Sequence, residues 1–339
     1  MSSPAKIAEF IRARDKFLIT THVFPDGDNM GSMLALAEVL DRLGKRCTCY
    51  LDGIVPAIFT WMPGVSRVAS NIDAAVSKLE CDVKKVVPFV VDCGDIHRMG
   101  EDFDKWLESH SNPEIANVDH HTSNTGFGSV KWVDASYSSV GEMIYEILKA
   151  LGLELTPSIA TNLFVSVYTD TGRFSFSNTT ERSLSYAAEY VHAGAKPIDA
   201  FRGVYANRSL ASFHLQSASF QTLERFLDDR GCYFWVDQAM LAATGTTMED
   251  TEGFIDAVRT LRDFDIVVFF KEIGPSDIRV SVRAHPPISA SALMALFGGG
   301  GHPRAAGSRI EMPLPEAIRH FISTAERAVE SGEVLESRK

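Results

Sequence analysis

The chain has 339 residues, 45% hydrophobic and 23% charged, with 24 Gly and 14 Pro. This ordinary composition excludes a fibrous or disordered protein, and at about 100–200 residues per core it predicts two domains. A net charge of −11 excludes a protein that coats long nucleic acid, because that affinity comes from many Lys and Arg contacts to phosphate.

A phosphate-bearing ligand must therefore meet local positive charge, which bound metal ions can supply. The opening segment MSSPAKIAEFIRAR is charged and amphipathic, unlike the apolar region of a signal peptide. No run of about 18 uncharged apolar residues occurs, so a cytoplasmic protein without membrane spans is expected. Cys47, Cys49, Cys81, Cys93 and Cys232 form an odd set with no CxxC pair, which predicts free, mostly buried thiols.

In chain order, residues 16–20 read as a strand, 30–43 as an amphipathic helix, and 46–51, 86–91 and 115–118 as strands. Helical patterns follow at 139–151, 158–168 and 181–193. This alternation predicts an α/β unit with a mainly parallel sheet flanked by helices, whose ligands sit beyond the carboxyl ends of the strands. The rhythm breaks at Gly194, so the domains are read as 1–193, a connection at 194–209, and a smaller α/β domain at 210–339. A long helical stretch is expected at 208–226, strands at 232–236, 266–271 and 278–283, and helices at 248–262, 291–297 and 314–329.

The chemistry-bearing residues gather at the ends of the early strands. After the first strand, His22, Asp26 and Asp28 lie in a Pro/Gly-bent loop that opens onto a helix. One imidazole and two carboxylates make a mixed nitrogen and oxygen site for a divalent cation. The plainer reading makes Asp28 a helix N-cap and His22 a surface residue. The apolar run 86–91 ends in Asp92, which by itself would more often form a turn. A third strand ends in Asp119-His120-His121, which suggests a metal ligand, a proton donor and an orienting carboxylate. Asp170 interrupts a helical pattern where the negative end of the helix dipole disfavours it, which favours a ligand role. Together these groups can hold two cations that share one Asp.

In the second part, Gly298, Gly299, Gly300 and Gly301 precede His302-Pro-Arg304. The run lacks the Lys-Ser/Thr ending of a Walker loop, but glycines let backbone N–H groups approach an anion and His302 and Arg304 add donors. The alternative is a flexible turn. Arg283 ends the strand at 278–283, where an Arg is usually solvated.

In this order, HxxxPDGD, a strand-end Asp, Asp-His-His and Asp-Thr-Gly-Arg-Phe resemble the DHH phosphoesterase family. FGGGGHPRAAG, from Phe297 to Gly307, resembles the DHHA1 substrate domain, and chain length is similar to the nanoRNase and nucleotide 3′,5′-bisphosphate phosphatase subgroup rather than to the larger RecJ exonucleases. The resemblance implies that His22, Asp26 and Asp92 hold one metal while Asp28, Asp92, His120 and Asp170 hold the other, with Asp92 bridging and manganese preferred. It implies that Asp119 orients its neighbours, that His121 contacts the phosphate or protonates the leaving oxygen, and that Arg283, the Gly298 to Gly301 run, His302 and Arg304 bind substrate. Asn29-Met30 departs from the small or aliphatic residues common after PDGD, with no effect on the ligands expected.

The leading expectation is hydrolysis of short oligoribonucleotides to mononucleotides, of adenosine 3′,5′-bisphosphate to AMP, or of both. Cleavage of cyclic dinucleotides or their linear products is the runner-up, and inorganic pyrophosphate is a poorer match to a glycine-rich element suited to a nucleotide. A nucleotide-sensing module without catalysis is the non-enzyme alternative. Expected partners are short RNA or a nucleotide, not long duplex or membrane, and a homodimer is left open.

Overall fold

The computed structural model describes residues 3–110 and 114–336. The chain divides into two compact units, Met1–Asn207 and Arg208–Lys339. No helix among the described residues is long and apolar enough to cross a membrane.

The first unit runs α1 (Pro4–Arg12), β1 (Lys16–Thr20), α2 (Gly27–Arg42), β2 (Arg46–Tyr50), β3 (Val68–Ala69), α3 (Ile72–Ser77), β4 (Val87–Val91), α4 (Glu101–Ser109), β5 (Ala116–Asp119), β6 (Val130–Val133), α5 (Val140–Leu151), α6 (Pro157–Asp170), α7 (Glu181–His192) and α8 (Pro197–Val204). Its six strands form a sheet in the order β3-β2-β1-β4-β5-β6, parallel throughout. The apolar character of β1 and β4 follows from burial on both faces: Phe17 and Ile19 join the core under α2, α5 and α6, while Leu18 and Val90 join the core under α3 and α4. Each such side chain contributes about 1.5–3 kcal/mol on burial. The strand order turns back between β1 and β4, and such a switch point opens a crevice at the strands' carboxyl ends.

Helix α2 packs closely on α6 because Gly31 has no side chain: a Cβ there would lie 2.3 Å from the carbonyl oxygen of Asn162. The expected connection at 194–209 holds α8 instead of an open linker. Ala200 of α8 is buried in the core of the first unit, and the division between units falls after Asn207.

The second unit contains α9 (Leu210–Phe220), β7 (Glu224–Phe226), β8 (Gly231–Val236), α10 (Gln238–Thr244), α11 (Phe254–Val258), β9 (Ile266–Gly274), β10 (Asp277–Ala284), α12 (Ala290–Ala295), β11 (Gly300–His302), β12 (Ala305–Ile310) and α13 (Leu314–Glu330). Its mixed sheet has the order β11-β12-β10-β9-β8-β7, with only β8 and β9 parallel. The helix expected over 208–226 stops at Phe220, and 224–226 form the edge strand β7. The helix expected over 248–262 is broken by Gly253 at φ +77° into a 3-10 turn and the short α11.

The glycine run is ordered as a hairpin arm, since Gly300, Gly301 and His302 pair with Gly307, Ala306 and Ala305. Side chains at Gly299 and Gly301 would strike the carbonyl oxygens of Gly307 and Ala305, at 2.2 and 2.6 Å. Only glycine allows that approach.

Candidate metal centre

Three parallel strands deliver the centre. His22 follows β1, Asp92 follows β4, and Asp119 ends β5 with His120 and His121 beyond it. Helix α2 adds Asp28 and α6 adds Asp170 as its last residue.

His120 is the hub. Its Nδ1 bonds the carbonyl oxygen of Tyr137 at 3.1 Å, so Nδ1 carries the proton and Nε2 presents its lone pair when the ring is neutral. Nε2 lies 3.7 Å from Asp28 Oδ2, 3.6 Å from Asp92 Oδ1 and 3.6 Å from Asp170 Oδ2. These separations are too long for hydrogen bonds. They leave room for a cation between the nitrogen and the carboxylates, and the donor atoms of Asp28, His120 and Asp170 lie within 4.8 Å of one another.

Asp28 is buried and held by three donors: the backbone N–H groups of Val140 at 2.7 Å and Gly141 at 3.1 Å, and Ser166 Oγ at 2.5 Å. The two backbone donors open α5, so the positive end of that helix faces the carboxylate. The N-cap role considered for Asp28 belongs to Asp26, whose Oδ1 accepts from the N–H groups of Asp28 and Asn29.

Asp92 is 2% exposed, and its backbone lies in the left-handed region at φ +52°. Non-glycine residues are uncommon in that region, and those that adopt it cluster at functional sites. Its Oδ1 is buried without a hydrogen-bond partner among the described residues and faces His120 Nε2. A buried carboxylate oxygen so left is strongly unfavourable, and a cation among these donors removes the penalty.

The electrostatics agree. Burial first, then the charges of the neighbouring carboxylates, raises the carboxyl groups of Asp92 and Asp170 well above the usual carboxylate range. Burial also raises Asp28, although His120 opposes the shift. Burial works against a charged His120, but Asp28 and Asp170 overcome it and raise its pKa. The cluster therefore attracts positive charge, as a cation site must.

His121 differs from its neighbour. Its Nδ1 is 2.7 Å from Asp119 Oδ1 and 3.5 Å from Asp92 Oδ1. The nitrogen nearest Asp92 is thus the one already bonded to Asp119, so no lone pair on it faces a metal, despite its proximity to Asp92 and His120. Asp119 is fully buried. Burial disfavours its charge, but bonds from His121 and Asn124 prevail and lower its pKa.

His22 bonds the Val23 carbonyl oxygen through Nδ1 at 2.6 Å, which leaves Nε2 as a donor atom, and burial lowers its pKa toward the neutral form a ligand needs. His22 and Asp26 stand outside the two tight donor groups, Asp28-His120-Asp170 and Asp92-His120-His121. Asp26 is exposed, but its charge is felt at His22, Asp28, Asp92 and Asp170.

The sequence reading missed three supports. Asn29, expected to leave the ligands unaffected, donates from Nδ2 to Asp92 Oδ2 at 2.7 Å. Ser166 bonds Asp28, and Asn124 Nδ2 bonds Asp119 Oδ2 at 2.6 Å. Only Asn29 carried a legible signal, as a polar residue where small or aliphatic residues are common after PDGD.

In the second unit, Arg283 and His302 are both register partners of Ala305, on its two sides. Directly paired residues of an antiparallel sheet share a face, so Arg283 and His302 lie on one. Arg283 Nε donates to Asp256 Oδ1 at 3.3 Å. Arg304, also expected at the substrate, bonds the carbonyl oxygen of Ile288 at 2.9 Å and the carboxylate of Glu336. These bonds tie the chain's last described residues to the sheet.

Comparisons with known proteins agree with this layout. Residues 16–167 match the model of the DHH family, N-terminal domain, and residues 233–331 match that of the DHHA1 domain. The chain is 28% identical to the bifunctional oligoribonuclease and PAP phosphatase NrnA of Thermus thermophilus, over 93% of this chain and 91% of that one. It is 29% identical to the protein of that name from Bacillus subtilis, over 87% and 90%. An exopolyphosphatase-related protein of Bacteroides fragilis shares the fold with a TM-score of 0.87 at 22% identity, over 97% of this chain and 96% of that one. RecJ of Thermus thermophilus in complex with Mn2+ has a TM-score of 0.54 at 13% identity, over 97% of this chain and 54% of that one. With both domain models matched in order and relatives aligned along most of their length, the chain belongs to the DHH family.

Proposed function

We propose that the chain is a metal-dependent phosphoesterase that hydrolyses short oligoribonucleotides to mononucleotides and adenosine 3′,5′-bisphosphate to AMP. The observation that carries the reading is the convergence of Asp28, Asp92 and Asp170 on His120 Nε2, with a partnerless buried oxygen of Asp92 among them. The relatives named oligoribonuclease and PAP phosphatase support the substrate class.

In this reading Asp28, Asp92, His120 and Asp170 would hold one divalent ion, and His22, Asp26 and Asp92 would hold another. Manganese suits a site built from imidazole and carboxylate without thiolate. Such ions, when bound, polarise the phosphoryl group and lower the pKa of water.

The protein's own groups do the rest. Asp119 accepts from His121 Nδ1 and orients the ring, so that Nε2–H of the doubly protonated imidazole would contact the phosphate or pass its proton to the leaving oxygen. The carbonyl of Tyr137 orients His120 in the same way. In the second unit Arg283, His302 and the Gly298 to Gly301 arm bind nucleotide, and the backbone N–H groups of the glycines suit an anion.

The test is a panel of RNAs from two to about ten residues long, adenosine 3′,5′-bisphosphate and cyclic dinucleotides, each with manganese and with chelator. Preference for the shortest RNAs and the bisphosphate supports the reading, since an acidic protein gains little from a long strand. Preference for cyclic dinucleotides would replace it.

A further inference from the structure

On the reading that Asp92 is a metal ligand, the geometry points to Asn29 as the residue that positions it. Asn29 is fully buried in the first turn of α2, and a buried amide must satisfy both its donors and its acceptor. Its Oδ1 accepts from the Asp26 N–H at 2.9 Å, which completes the capping box of α2. Capping alone asks for no more.

The amide nitrogen goes further. Nδ2 donates to Thr21 Oγ1 at 2.6 Å and to Asp92 Oδ2 at 2.7 Å, and reaches the carbonyl oxygen of Asp92 at 3.0 Å. One side chain thus ties together the end of β1, the end of β4 and the start of α2, the three elements that carry His22, Asp92 and Asp28.

Two consequences follow for Asp92. The bond from Asn29 to Oδ2 fixes the rotation of the carboxylate and turns Oδ1 toward His120 Nε2. The bond to the carbonyl oxygen also helps hold the backbone at φ +52°, a conformation that relaxes without restraint. An alanine at this place would leave Oδ2 without the donor, and a carboxylate would repel it. Asn29 therefore acts through Asp92 and is a positioning residue.

The experiment titrates manganese into the full chain, stripped of metal by chelation, by calorimetry, with the wild type, Asn29→Ala and Asp92→Asn compared and each variant's metal-free melting recorded. Loss of a residue that orients a ligand typically weakens metal binding by 10–100-fold. That loss is expected in Asn29→Ala while the protein still melts cooperatively. At saturating manganese, kcat should fall with KM for the substrate unchanged. If the alanine variant does not fold, Asn29→Asp serves, because it keeps the acceptor for Asp26 and removes the amide donor. Wild-type affinity in a folded Asn29 variant, with affinity lost in Asp92→Asn, overturns the inference alone. Wild-type affinity in Asp92→Asn overturns the ligand reading and the inference with it.

Discussion

His120 Nε2 stands 3.6 Å from Asp92 Oδ1, while His121, the next residue, reaches the same oxygen at 3.5 Å only through a nitrogen already bonded to Asp119. Two adjacent imidazoles thus differ beside one carboxylate: the first turns toward it Nε2, the nitrogen not bonded to Tyr137, and the second turns Nδ1, whose proton is donated to Asp119.

This asymmetry gives separable phenotypes. His121→Ala should lower kcat by about 10²–10⁴-fold, the usual worth of a positioned proton donor, while metal content by elemental analysis stays at the wild-type level. Loss of metal in that variant would mean that His121 is itself a ligand.

Metal and pH are linked through the same carboxylates. Asp28, Asp92 and Asp170 have raised pKa values in the folded protein without metal. Their contribution to stability is therefore present below the unfolded value of about 4 and is lost as pH rises through the folded values. Metal binding needs the deprotonated forms and so strengthens over the same rise. Melting temperatures with manganese and with chelator should diverge as pH increases from about 4 toward neutrality. A gap that stays constant or narrows would show that these carboxylates do not carry the metal.

Arg283 offers a test of the second unit. If it binds a nucleotide phosphate, Arg283→Ala should raise KM for a dinucleotide about tenfold, a loss of about 1.4 kcal/mol. KM for a small generic diester, which lacks the second group, should not change. Equal losses on both substrates would assign Arg283, with its bond to Asp256, to folding or to the chemistry.

The sequence displayed the first unit more clearly than the second, for physical reasons. Strands buried on both faces, such as β1 and β4, appear as continuous apolar runs, and ligands at their ends stand out as abrupt Asp and His residues. The strands β3, with two residues, and β7, with three, are too short to establish a period. The break at Gly253 interrupts a helical pattern whose apolar residues continue on both sides. At the centre, residue types announced the donors, but the hydrogen bonds that orient them join positions far apart in the chain. Asn29 to Asp92, Asp28 to Ser166 and His120 to Tyr137 are contacts that only the fold creates. Arg304 carries bonds that the motif did not announce, to Ile288 and Glu336.

The central claim, that this cluster hydrolyses phosphate esters only with metal, is tested most directly by titrating chelator-stripped protein with manganese while hydrolysis of a dinucleotide RNA is followed. The account predicts no turnover in the stripped protein and a rise that saturates near two ions per chain, as a two-metal site requires. Full turnover in the stripped protein would contradict it.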